Sequence, residues 1–437
     1  MHGAARALPL VMGLWSAGCF ENTSPPCQHI LCDIEDPDCV EETAKVVACD
    51  MGLEEASPKV RLRTAAQVLA EVEAEQEPLT AEMQHDFDSM VRGMAVLGLL
   101  PEGYQREQAT ADGLRNLLGY YERDSKAITI ITDRARLSHE AEYQVLVHEI
   151  VHFYQDRQRD LSAYFDVHAT TKDRSMGTRA VTEGEASLRD DLAGLQVRNL
   201  TPDDVDWSAY FGDWQAQTLD RVFDSDLPLI DAESAFPYSY GAALLHGAWS
   251  ASSQSGIDAV FARPPDSARQ AMAGYQPQPS SWNEDGDFDP TALPVLPADY
   301  ELADYTHMGI WLLNAALSRT ADTGKWAPAL DEVTADFLTI FHHAPSDGVA
   351  AIWRIRTRDL PTLRNTFLHS GSTWSAAPAV AQRQRVVGEV DGELVAVATT
   401  EELDANEVLA TIAGWTQAED ATTSFDAASF HAPSCFR

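Results

Sequence analysis

The chain is poor in basic residues. It has 31 lysine and arginine residues against 68 aspartate and glutamate residues, which gives a formal net charge of −37 at pH 7. A surface of this charge repels the phosphate backbone of a nucleic acid and the anionic face of a membrane. We therefore expect no nucleic-acid partner.

The chain also lacks an apolar run of the roughly 20 residues that a membrane-spanning helix needs. Its amino terminus has Arg6, a short apolar run over 7–15 and small residues before Cys19, which is typical of an export signal over residues 1–18. Small residues directly before a cysteine indicate a lipoprotein signal, with Cys19 as the lipidated first residue of the mature chain. An ordinary secretory signal cut near Ala17 or Gly18 is the alternative. We expect an exported protein that contacts the membrane only through a lipid anchor.

Cysteine is scarce, and no two of the six cysteines form a CxxC pair. Four of them cluster in a short acidic stretch, as disulfides do in proteins of oxidising compartments, so residues 19–57 are predicted to form a Cys-rich leader with two local bridges. A zinc knuckle of four thiolates is the alternative. The four clustered cysteines are Cys27, Cys32, Cys39 and Cys49, and Cys435 is left over.

The GxSxG pattern of serine hydrolases is absent around Ser372, but a different hydrolase pattern is present. An HExxH sequence runs from His148 to His152 inside an apolar stretch that is predicted to be a helix with its N-cap at Ser138. Residues four apart lie on one helical face, so the two imidazoles can bind one zinc ion, with Glu149 directed at a zinc-bound water. This spacing indicates a zinc-dependent hydrolase.

A catalytic zinc normally has a third protein ligand. The extended HExxHxxGxxH form is excluded because Gln158 stands where its third histidine would be. Glu183 is our predicted ligand, because Glu183 and Ala186 form an ExxA spacing in which the small residue allows close approach of two helices. Glu185 is the rival, but it lies about 200° away round the helix. Asp190 is either a hydrogen-bond partner of a ligand histidine or a solvated acid.

In the mechanism that these residues imply, zinc lowers the pKa of its water and Glu149 takes the proton as the water attacks a carbonyl carbon. The oxyanion needs a second donor, usually a tyrosine or a histidine. Tyr238 and Tyr240 are the catalytic candidates that we select, with His246 and His307 as further candidates. Each of the four is otherwise a packed core side chain.

Five segments, in this order, resemble a group of bacterial and archaeal secreted or lipid-anchored gluzincin-like metallopeptidases. The similarity covers roughly residues 119 to 275. It implies zinc on His148, His152 and Glu183, with Glu149 as the catalytic acid and base, and a peptide or protein substrate. Ser187 departs from the pattern, since gluzincins have there an aspartate that supports a zinc-bound histidine. The segments are Gly119-Tyr120-Tyr121, the run from His148 to Asp156, the run from Thr182 to Ser187, the run from Phe236 to Gly241 and the run from Phe261 to Ser267.

The fold class that we predict is α+β, with a zincin-like core, a small antiparallel sheet and a predominantly helical downstream half. The core is predicted over residues 58–276, a proline-rich acidic loop over 277–299, and a helical region with one β-hairpin over 300–437. The local patterns predict helices over 60–77, 80–99, 178–195 and 305–317, and hairpins over 119–131 and 385–400.

The hairpin before the HExxH segment can be structural, and its edge can also pair with an extended peptide substrate, since the two roles are not exclusive. Two weaker patterns carry no catalytic role. The acidic loop over 283–289 is either a solvated loop or a calcium site. The adjacent pair His342 and His343 cannot converge on one metal, so a surface or helix-end position is expected.

The alternative function is an inactive metallopeptidase-like surface lipoprotein that binds a partner or sequesters zinc.

Overall fold

The fold is taken from a computed structural model, which describes residues 27–75, 78–115, 117–133, 138–274, 296–320, 326–368 and 384–415. The predicted signal over 1–18, Cys19, the acidic loop over 283–289, most of the 277–299 segment and Cys435 lie outside these ranges. No helix in the described ranges is long and apolar enough to cross a membrane.

The described residues form a mixed α+β fold with two sheets. The helices are α1 (Pro37–Met51), α2 (Ala65–Glu75), α3 (Ala81–Val96), α4 (Arg106–Leu114), α5 (His139–Arg159), α6 (Leu161–His168), α7 (Lys172–Val197), α8 (Trp207–Asp224), α9 (Pro228–Ala262), α10 (Ala268–Met272), α11 (Gly309–Thr320), α12 (Leu360–Leu368) and α13 (Ala405–Trp415). The strands are β1 (Lys59–Arg63), β2 (Gly119–Glu122), β3 (Ala127–Ile131), β4 (Tyr300–Thr306), β5 (Val333–His343), β6 (Gly348–Thr357), β7 (Arg385–Val390) and β8 (Glu393–Thr399).

The first sheet has the order β1-β3-β2 and lies beside α5. The predicted hairpin over 119–131 is confirmed, since β2 and β3 pair antiparallel. The sheet is mixed and not antiparallel as predicted, because β1 pairs parallel with β3. The helix predicted from residue 60 begins only at Ala65, because Val60 and Leu62 alternate with basic residues on β1 and pair with β3. Leu62 lies three residues before Ala65, and the apolar residues after Ala65 continue that helical spacing, so the predicted helix was extended back into the strand.

The second sheet has the order β4-β5-β6-β8-β7 and is antiparallel throughout. The hairpin predicted over 385–400 is confirmed as β7 and β8, which meet at Asp391 and Gly392, both in the left-handed region. The prediction of an otherwise helical region over 300–437 is wrong, because β4, β5 and β6 also cross the part described here. Apolar side chains occupy both faces of β5 and β6, so these strands show no alternation from which to recognise them.

The helix α5, which carries the HExxH segment, packs on α7, and α7 in turn packs on α9. One apolar cluster fills the space between α7, α9, α11 and the second sheet, and another lies between α5, α1 and the first sheet. Glycine allows a very close crossing of α7 and α9, where a Cβ on Gly184 would lie 2.4 Å from the backbone of Gly241. The helix α9 is kinked at Ser252 and Ser253.

The helix α1 of the Cys-rich leader packs against α5, and the two helices share one apolar cluster. Two disulfides close it, Cys27 to Cys49 and Cys32 to Cys39, as the clustering of the cysteines predicted. The hydroxyl of Tyr154 on α5 lies 2.6 Å from the carbonyl oxygen of Ala56, which ties the end of the leader to the same helix.

Candidate metal centre

The helix α5 carries the HExxH residues in a well-capped frame. The side chain of Ser138 accepts from the backbone N–H of Ala141, as predicted, and closes the first turn. Glutamates in the first turn and two arginines in the last turn complement the helix dipole. The histidines in the middle of this 21-residue helix are therefore held on a rigid element.

Three predicted ligand atoms converge between α5 and α7. The Nε2 atoms of His148 and His152 lie 3.1 Å apart, and each lies 3.3 Å from Oε2 of Glu183. A tetrahedral zinc with bonds of about 2.0 to 2.1 Å places its ligand atoms about 3.3 Å from one another. The spacing of these three atoms therefore fits a zinc ion.

The electrostatics of the three side chains also suit a cation. Burial alone would raise the pKa of Glu183, but the neighbouring His152 and His148 outweigh burial and hold that pKa well below its usual value. Burial alone would lower the pKa of His148, yet its bonds to Asp190 and Glu183 raise it well above the usual value, so the site favours a positive charge, and a metal ion replaces the proton of the imidazole when it binds. Glu183, whose side chain is 17% exposed, thus stays ionised, which is the form that binds a metal.

Each histidine has an oxygen partner on its other ring nitrogen. Nδ1 of His148 lies 2.9 Å from Oδ2 of Asp190, and Nδ1 of His152 lies 2.9 Å from Oε1 of Gln155. Both contacts place the proton on Nδ1 and leave Nε2 free to act as a ligand. Asp190 is thus a hydrogen-bond partner of His148, which is one of the two roles that the sequence left open for it.

Glu185 lies on the other side of α7, as the helical spacing predicted. It is fully buried, with Oε2 accepting a hydrogen bond of 3.1 Å from Nε2 of Gln155 and Oε1 3.9 Å from Nη2 of Arg189. The carboxylate of Glu185 therefore helps to hold Gln155, the side chain that contacts Nδ1 of His152.

Glu149 is buried beside the three ligand atoms. Its pKa is raised, chiefly by burial, and within the described part of the chain its Oε2 accepts no hydrogen bond. The edge strand β2 passes next to it, since a Cβ on Gly119 would lie 3.1 Å from Cγ of Glu149. The close contact favours glycine at position 119, where the backbone of an edge strand lies next to the candidate base.

Among the four candidate oxyanion donors, Tyr238 is the one that the structure brings to the cluster. Its ring stacks on His148 with centroids 5.8 Å apart, and burial followed by the charge of Glu183 raises its pKa well above the usual value. Tyr240 is on the opposite side of α9 and stacks on Phe236, with a centroid distance of 4.8 Å. Burial raises the pKa of Tyr240 to about 12.

The two histidine candidates lie in other surroundings. His246 packs on Trp207 with ring centroids 4.5 Å apart. His307 is buried, with Nδ1 2.5 Å from the carbonyl oxygen of Asp336.

Two residues at the centre were missed as site residues from the sequence. Gln155 follows His152 by three residues, a spacing that places both on one face of α5 and was the available signal. The role of Gly119 could not be read from the sequence, because its constraint arises from a contact with Glu149 across 30 residues of chain.

No family model, no curated protein and no solved structure matches this chain. The similarity to gluzincin-like peptidases thus depends on the quoted segments alone.

Proposed function

We propose that the chain is an exported zinc metallopeptidase of the gluzincin type, with a zincin-like core formed by α5, α7 and the first sheet. The observation that carries the proposal is the triangle of His148, His152 and Glu183 at zinc-ligand spacing, directly beside the buried carboxylate of Glu149. A site that only sequesters zinc needs the three ligands but does not need a general base beside them.

The residues at the centre divide the work of peptide hydrolysis. A zinc ion held there supplies Lewis acidity. Glu149 takes a proton from the attacking water and then delivers it to the nitrogen of the departing amine. Its raised pKa suits both roles, since the carboxyl group gains and loses the proton more readily near neutral pH. Tyr238, whose raised pKa keeps its hydroxyl protonated, donates a hydrogen bond to the oxyanion.

The edge strand β2 supports a peptide as the substrate class. Its outer edge is not paired by a strand in the described part of the sheet, and its first residue lies against Glu149. An extended peptide that pairs with this edge brings its carbonyl carbons past the base. The hairpin is then both structural and substrate-binding.

Export is supported by the two disulfides of the leader, which are typical of an oxidising compartment. We place the protein in the cell envelope, anchored through lipidated Cys19, or secreted after ordinary signal cleavage. Mass spectrometry of the amino terminus of the natural protein distinguishes the two.

The test replaces the base and leaves the ligands. Glu149→Gln is expected to retain one equivalent of zinc and to lower kcat/KM on a broad peptide library by about a hundredfold or more. Glu142→Gln, on the same helix, is the control and is expected to keep full activity. Zinc binding with no turnover that depends on Glu149 would instead support the binding or zinc-sequestering function.

A further inference from the structure

A second group of potential metal ligands lies where α3 packs on the second sheet. It is formed by His85 of α3, Glu301 of β4 and His342 of β5, and one ligand atom of each lies within 4.8 Å of the others. Glu301 and His342 face each other as cross-strand partners. The rings of His85 and His342 meet edge to face, with centroids 4.3 Å apart.

The buried member of this group has a nitrogen without a partner. His342 is 6% exposed, and its Nδ1 makes no hydrogen bond in the described part of the chain. Its Nε2 lies 2.9 Å from Oδ1 of Asp347, which in turn pairs with Arg92 of α3. A carboxylate on one imidazole nitrogen fixes the ring and leaves the other nitrogen as a metal ligand. The expectation of a surface or helix-end position is thus wrong for His342, which is buried on a strand.

The other two members can adjust to an ion. Nε2 of His85 lies 4.0 Å from Oε2 of Glu301, somewhat more than the roughly 3.3 Å between ligands of a tetrahedral ion. Their side chains are 41% and 64% exposed, so small rotations can close that gap. Water can complete the coordination from the exposed side.

We propose that His85, Glu301 and His342 form a second metal site, separate from the candidate catalytic centre, that binds a divalent transition-metal ion such as Zn²⁺. Two imidazoles and one carboxylate are a donor set that favours zinc and its neighbours over calcium or magnesium. The ion ties α3 to β4 and β5. Its role is structural, because two of its three ligands lie at the surface and the bound ion would join a helix to a sheet far along the chain.

The test counts metal equivalents in the untagged full-length protein, with free thiols alkylated so that cysteine does not contribute. After chelation, the protein is titrated with Zn²⁺ by calorimetry and with Co²⁺ by absorption. His85→Ala and Glu301→Gln are each expected to remove one equivalent, and to abolish its stabilising shift in thermal midpoint. His343→Ala is the matched control and should keep it, because its ring nitrogens already contact Ser346 and Asp299.

Both ligand variants change exposed side chains, so their folding is not at risk, and their circular dichroism should match that of the parent. His148→Ala is expected to leave the second equivalent in place, which separates the two sites whatever the primary centre binds. An equivalent count that is unchanged by both His85→Ala and Glu301→Gln would overturn the proposal. So would a loss of metal in His343→Ala equal to that in the ligand variants.

Discussion

At the scale of single residues, two glutamates two positions apart on α7 have opposite surroundings. Glu183 meets both histidines, whereas Glu185 is enclosed by Gln155 and Arg189. The helical rotation of about 200° between them separates a ligand from a structural acid. Their substitutions should therefore affect different properties.

Glu183→Ala is expected to weaken zinc binding by at least about a hundredfold, because it removes one of three ligands. Glu185→Ala should leave a buried arginine without its carboxylate and lower the free energy of unfolding by about 3 kcal/mol. Zinc competition with a chromogenic chelator and urea unfolding measure the two effects. The opposite pattern, with zinc affinity falling more in Glu185→Ala, would refute the ligand assignment.

Local spacing predicted the common face of the candidate residues on α5, and the ExxA spacing selected Glu183 on α7, but no local pattern selected the tyrosine that lies beside them. The spacing of His148, Glu149 and His152 is fixed by helix geometry, so the pattern was sufficient to predict their common face. Tyr238 and Tyr240 lie on opposite sides of α9, and the sequence did not show which side faces the histidines. That choice depends on how α9 crosses α7, a long-range contact without a local signal.

At the scale of elements, α7 positions the third ligand because it lies between α5 and α9. Its buried small residues allow this, with Ala186 in the cluster shared with α5 and Gly184 against Gly241 of α9. The ExxA spacing predicted only the first of these contacts. The α7 to α9 crossing needs glycine on both helices, since a Cβ on Gly241 would lie 2.2 Å from the carbonyl oxygen of Ala180.

Gly241→Ala should therefore force α7 and α9 apart and lower the free energy of unfolding by about 3 kcal/mol, with weaker zinc binding because Glu183 moves with α7. Gly247→Ala on the same helix is the matched control. Its added Cβ meets nothing within 4 Å, so helix propensity should stabilise the protein by about 0.5–1 kcal/mol. Chemical unfolding of both variants checks the prediction. Equal effects of the two substitutions would show that the crossing tolerates a methyl group.

At the scale of the whole molecule, the leader forms part of the support of the metal helix. Val47 and Met51 of α1 lie in one apolar cluster with Val147, which precedes the HExxH segment on α5, and with Ile150, which lies within it. Nη1 of Arg189 on α7 donates a hydrogen bond of 3.1 Å to the carbonyl oxygen of Asp50 at the end of α1. The clustering of cysteines predicted the bridges, but where the leader docks depends on tertiary packing that no local pattern encodes.

Removing the leader's bridges should consequently weaken the zinc centre as well as the leader. The Cys27–Cys49 bridge spans 22 residues and the Cys32–Cys39 bridge spans 7. Loop-closure entropy then gives about 3 kcal/mol for the first and about 2 kcal/mol for the second. The double variant Cys27→Ala/Cys49→Ala is expected to lower the thermal midpoint more than Cys32→Ala/Cys39→Ala, and to lose zinc in the same transition. Metal analysis during heating checks the prediction. If zinc stays bound after the leader has unfolded, α5 holds its histidines without support from α1.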